Sequence, residues 1–226
     1  MHLGSGTGDL RMAFTTLNQY QMVDTETLGN EPGHSILVIG AVRFDPFMPW
    51  PGEGQAISAK DQFLVRISRE SNRKYGLKES PSTLEWWESQ PEEARAEAFG
   101  GTVDLKDGLE MYSEWCFSTF GEDSRGCADM NTYCHGAEYD KPMISWAMDH
   151  LRIRSPFPYN RTRSTRDIYE LAGIEYKGVH HQAIRDCYDQ CAALCRSHSI
   201  LGFSRLANRL PGWLLPYEGL AFPVLL

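Results

Sequence analysis

Asp24 and Glu26 stand two residues apart, after a short apolar stretch and before a glycine-rich turn. On an extended strand, side chains at i and i+2 project to the same side, so both carboxylates would face one way. Side by side they repel unless a cation lies between them, which makes the pair a candidate site for a hard divalent metal. A solvated strand end is the plain alternative, and the pair alone does not decide between the two. Asp140 comes next, in the stretch C-H-G-A-E-Y-D-K-P. His135 and Gly136 mark where the chain leaves a strand, and Pro142 suits the first turn of a helix. Asp140 is therefore expected near that helix's N-terminus, as a metal ligand or as a helix cap. The last cluster is His181-Gln-Ala-Ile-Arg-Asp186. On one helix, residues five apart point about 140° away from each other. The spacing serves a single site only if His181 lies on a loop and Asp186 lies one turn inside the helix that follows. That layout gives a rigid carboxylate for metal and a more mobile histidine for proton transfer; a surface histidine beside His180 is the alternative.

Other residues offer weaker chemistry. Trp86 and Trp87 could stack nucleobases, but helix neighbours do not share a face, so one is expected in the core and Trp86 is taken as the substrate wall. Arg152, Arg154, Arg161, Arg163 and Arg166 crowd a stretch without acidic residues, either tracking a phosphate backbone or forming a solvated loop. Cys187, Cys191 and Cys195 fall at i, i+4 and i+8, one face of a helix, and read as buried small apolar residues rather than zinc ligands.

These residues need a scaffold, and the composition permits one. The chain has 226 residues, 42% hydrophobic and 23% charged, enough for one domain with a disulfide-free core. The net charge of −8 argues mildly against non-specific nucleic-acid binding, although cations held by clustered carboxylates would reverse the local field. Six cysteines without CxxC spacing, no signal peptide and no apolar run of spanning length suggest a cytoplasmic setting and no membrane partner. Residues 1–16 read as a flexible leader whose GxGxG pattern is not a phosphate loop, 17–203 as the domain, and 204–226 as an apolar tail docked on the core or a partner. Strands are expected over Tyr20–Thr25, Ile36–Phe44 and Gln62–Ile67, forming an antiparallel meander because the first connection is too short for a crossover. Helices follow from a capping box at Ser82 and Glu85, over Leu105–Phe120, from about Pro142 to Leu151, from near Thr165, and from about Gln182 to His198. One further strand covers Met130–Cys134. The order implies an α/β fold, a mixed sheet flanked by helices.

Taken together, V-D-T-E-T-L-G (23–29), H-G-A-E-Y-D-K-P (135–142) and H-Q-A-I-R-D-C-Y-D-Q (181–190) resemble the DEDDh exonucleases of the ribonuclease H-like superfamily. The branch most similar includes DexA, exodeoxyribonuclease VIII and a mycobacterial exoribonuclease, so a phage origin is in view. S-T-L-E-W-W-E-S-Q (82–90) and I-G-A-V-R-F (39–44) add to the likeness, which covers roughly Leu17 to Arg196. The resemblance implies a ribonuclease H-like sheet and a 3′-5′ exonuclease that releases nucleoside 5′-monophosphates. It implies Asp24, Glu26, Asp140 and Asp186 as ligands of two Mg²⁺ or Mn²⁺ ions and His181 as general base. Thr27, Leu28 and His135 would contact substrate, Leu28 wedging against the terminal base. Single-stranded or duplex-end DNA or RNA is the expected partner, DNA slightly favoured, and a homodimer is left open. A catalytically weak binding module and a phosphodiesterase for short oligonucleotides are the alternatives. Arg185 departs from the family pattern, in which an acidic residue often precedes the metal aspartate.

Overall fold

Strand β1 (Tyr20–Thr27) and strand β2 (Ile36–Phe44) pair antiparallel, and β3 (Gln62–Arg66) continues the meander on the far side of β2. The fold comes from a computed structural model, which describes residues 19–50, 57–178 and 180–203. Four helices follow: α1 (Arg69–Lys74), α2 (Pro81–Glu88), α3 (Glu92–Phe99) and α4 (Leu105–Phe120). Strand β4 (Asn131–Cys134) leads to α5 (Asp140–His150), and β5 (Thr162–Ser164) leads to α6 (Thr165–Leu171) and α7 (Ala183–Ile200). The sheet order is β3-β2-β1-β4-β5, with β4 and β5 joining parallel to β1. This is the mixed, helix-flanked sheet that the element order implies.

The sheet separates two apolar layers because successive strand residues alternate faces. Val23, Ile39 and Ala41 pack with Leu109 and Tyr112 of α4 and Met143 and Ile144 of α5. On the other face Met22, Val42 and Phe44 pack with Tyr169 of α6 and with Cys187, Cys191, Leu194 and Cys195 of α7. Each fully buried large aliphatic or aromatic side chain contributes roughly 1.5–3 kcal/mol. The three cysteines of α7 thus form an apolar stripe, and all six cysteines are free thiols.

Three elements escape a sequence reading: α1, α3 and the three-residue β5. The capping box is corrected. Ser82 lies inside α2, whose cap is Ser80, because Pro81 has no N–H to lose and takes the first helical position. The leader and the tail, residues 1–16 and 204–226, lie outside the described residues. Among the described residues, no helix is long and apolar enough to cross a membrane.

Candidate active site

Asp24 and Glu26 share the β1 face occupied by Met22, the face covered by α7. The β1–β2 register shifts between Glu26 and Thr27, a bulge of the kind that re-aims side chains at a strand's end. Gly40, directly opposite Asp24 on β2, lets α7 approach: a Cβ there would come within 2.7 Å of the Ala183 backbone. That close approach brings Asp186, in the first turn of α7, against the β1 pair. One ligand oxygen from each of Asp24, Glu26 and Asp186 lies within 4.8 Å of the others.

Asp140, the first residue of α5, belongs to the same acidic neighbourhood but not to that three-oxygen cluster. Its Oδ1 accepts the Thr25 N–H at 3.0 Å and the Thr25 hydroxyl at 2.8 Å, which fixes the carboxyl against β1. The helix cap is Tyr139, and Asp140 is the first helical residue.

The loop-then-helix layout of the last motif is present. His181 lies two residues before α7 with φ of +54°, a left-handed conformation that is uncommon outside glycine. The Asp186 carboxylate holds that turn: Oδ1 accepts the His180 N–H at 2.7 Å and Oδ2 the Gln182 N–H at 3.1 Å. The backbone on either side of His181 is thereby tied to a candidate metal ligand. The His180 ring adds a contact to Asp189 at 2.8 Å. The His181 ring packs edge-on against Trp86 at 4.6 Å and Trp87 at 6.1 Å between centroids.

Electrostatically the site is poised for cations. Burial, then the charges of Asp140, Glu26 and Asp186, push the Asp24 carboxyl well above its usual range. Burial, then Asp186, Asp140 and Glu97, push Glu26 up to about 8. Burial raises Asp140 to about 7 against the opposing Thr25 hydrogen bonds. Burial lowers His181, so its neutral, proton-accepting form extends to lower pH. Glu26 Oε1 is buried without a hydrogen-bond partner. Hard oxygen donors, mutual repulsion and an orphaned buried oxygen are what a divalent ion would satisfy.

The cleft over these groups has a volume of about 450 Å³, and its walls include Thr27, Trp86, His135, Tyr139, Arg166 and Tyr176. Trp86 is 42% exposed and Trp87 1%, the division that helix geometry requires. Trp87 is held from below, its indole N–H donating to the Thr27 carbonyl at 2.9 Å. Leu28 is a correction. It is fully buried among Leu37, Val38, Trp87 and Ala183, and its side chain has no face to offer a base. Arg185 is exposed and absent from the cleft wall.

Sequence reasoning missed two polar groups at the site. Gln190, one turn beyond Asp186 and facing the same way, donates its amide N–H to Asp24 Oδ1 at 2.9 Å. Its i+4 spacing from Asp186 was a usable signal. Glu97 of α3 lies close enough for its charge to add to the upward push on Glu26, and no spacing rule links it to the motifs.

Residues 19–197 match the family described as the 3′-5′ exoribonuclease Rv2179c-like domain. No curated protein sequence matches the chain. Among solved structures, it is similar to the zinc-bound E. coli ExoI–ssDNA complex at 15% identity and a TM-score of 0.51, over 84% of this chain and 42% of that one. It is also similar to the RNase domain of the yeast Pop2 protein at 10% identity and a TM-score of 0.50, over 84% and 80% of the two chains. The chain spans 64% of the length of the cell-death related nuclease CRN-4. These likenesses are of fold, a mixed sheet flanked by helices. By the match over residues 19–197, the chain belongs to the 3′-5′ exoribonuclease Rv2179c-like family.

Proposed function

We propose that this chain removes nucleotides from the 3′ end of a nucleic acid by metal-dependent hydrolysis, releasing nucleoside 5′-monophosphates. The observation that carries the reading is the cluster of Asp24, Glu26 and Asp186, with ligand oxygens within 4.8 Å of one another, beneath a loop histidine. Asp24, Glu26, Asp140 and Asp186 would hold two Mg²⁺ or Mn²⁺ ions. When bound, such ions activate a water and stabilise the charge on the leaving 3′ oxygen.

The chain's own residues do the rest. His181 takes the proton of the attacking water at a ring nitrogen, and its lowered pKa keeps it neutral around pH 7. Asp186 keeps that histidine in register through the two backbone N–H groups flanking it. Gln190 orients Asp24, leaving its second oxygen for a cation. Trp86 offers an exposed indole to a base, a contact worth about 1–3 kcal/mol in single-strand binders. Thr27 and His135 form the neighbouring walls.

The family description supports RNA as the polymer to test first, and DNA, favoured slightly by the sequence, comes second. The test is a time course on matched 5′-labelled RNA and DNA 20-mers with Mn²⁺. The reading expects a ladder shortening one nucleotide at a time from the 3′ end, lost in Asp186→Asn. Internal cleavage, or shortening that begins at the 5′ end, would overturn it.

A further inference from the structure

Of the five arginines between Leu151 and Arg166, one faces the cleft. Arg154 pairs with Glu122 at 2.9 Å and lies over the Phe117 ring, and Arg161 pairs with Asp129. Arg163 donates to the carbonyls of Asn160 and Thr162. Arg152 lies in the turn after α5. Arg166, on α6, is the only lysine or arginine among the described residues that line the cleft, where three carboxylates stand. Its partner is Glu138 at 3.3 Å, with both side chains more than half exposed, an ion pair that solvent and salt weaken. The chain makes room for the guanidinium. A Cβ on Gly136 would come within 2.9 Å of Glu138 Oε1 and 3.5 Å of Arg166 Cζ. The positive charge is felt inside the site, where it adds to the effect of burial in lowering His135 and opposes the rise that burial imposes on Asp140.

We infer that Arg166 grips the phosphodiester one nucleotide upstream of the bond being cut, so that full rate requires a substrate with at least two phosphodiesters. The inference rests on the exonuclease reading above. The carboxylate cluster serves the scissile phosphate through cations. The next phosphate of the strand must still enter a cleft rich in negative charge, and among the described residues no other lysine or arginine lines it. A guanidinium suits this task because its planar fork can donate two hydrogen bonds to one phosphate. Glu138 holds the side chain in place until a phosphate displaces it.

The test compares kcat/KM on a dinucleotide, which has only the scissile phosphodiester, with kcat/KM on a trinucleotide, at saturating Mn²⁺. In Arg166→Ala the trimer-to-dimer ratio should fall about tenfold, the loss of one charge-assisted contact. The slope of log(kcat/KM) against log[KCl] on a longer strand should become shallower by about 0.7. Arg166→Lys should restore the salt slope while recovering only part of the ratio. An unchanged ratio in Arg166→Ala, or an equal loss on dimer and trimer, overturns the inference while leaving the exonuclease reading intact. A wild-type protein inactive on every strand would instead remove the reading on which it rests.

Discussion

Replacing Glu26 with glutamine should stabilise the metal-free protein at neutral and alkaline pH while abolishing its response to metal. In the unfolded chain Glu26 releases its proton near 4.5, whereas in the folded chain burial and the neighbouring carboxylates hold it up to about 8. Between those values the folded state carries more protons, so stability is fully present below pH 4.5 and is lost as pH rises through 8. From pH 6 to pH 8 that loss is on the order of 2 kcal/mol. For a chain of this size it lowers Tm by roughly 4–8 °C. Glutamine keeps the shape and carries no charge, so this component of the pH dependence disappears. Mn²⁺ at a hundred times its dissociation constant should stabilise the wild type by about 2.7 kcal/mol. That corresponds to a Tm rise of roughly 5–10 °C, and Glu26→Gln should show little of it. Thermal melts in EDTA and in Mn²⁺ from pH 5.5 to 8.5 measure both effects. The electrostatic reasoning fails if the two metal-free proteins show parallel Tm profiles, or if both respond equally to Mn²⁺.

Gly40→Ala should destabilise the fold by about 1–3 kcal/mol and reduce activity, because the added methyl meets the Ala183 backbone and forces α7 off the sheet; chemical denaturation and a nuclease assay check this together. His181→Gly and His181→Ala should both be inactive, yet the glycine variant should be more stable by about 1 kcal/mol, since alanine still bears the cost of φ +54°. At saturating Mn²⁺, the acidic limb of the wild-type kcat/KM profile should fall below pH 6.5, because burial lowers His181. Trp86→Ala should raise KM and lower kcat together, as the indole faces the cleft and also braces the His181 ring; steady-state kinetics that show a change in KM alone would separate the two roles.

Much of the site was legible in the sequence because period and spacing carry geometry. The two-residue step from Asp24 to Glu26 gives a common strand face, and the five-residue step from His181 to Asp186 can serve one site only as a loop followed by a helix. The adjacent tryptophans had to divide between core and surface. What stayed hidden depends on long-range contact. Gly40 reads as one small residue in an apolar run, and its purpose appears only when α7 lies across it. Leu28 follows the acidic pair closely enough to invite a substrate role, yet α2 and α3 pack over it. Helices α1 (RESNRK) and α3 (EEARAEAF) lack a broad apolar stripe, and β5 is three residues of T-R-S whose strand character comes from pairing with β4. Ser82 and Glu85 have the spacing of a capping box, but Pro81 occupies the first helical position and leaves Ser80 as the cap.

The most direct test of the central claim is release of the terminal nucleotide from a 3′-end-labelled RNA by wild type, Asp24→Asn and His181→Ala at saturating Mn²⁺. The account predicts labelled nucleoside 5′-monophosphate from the wild type and a loss of at least a hundredfold in each variant, by analogy with removal of a catalytic base or an essential charge. Wild-type rates in Asp24→Asn, or a labelled product other than the 5′-monophosphate, would contradict it.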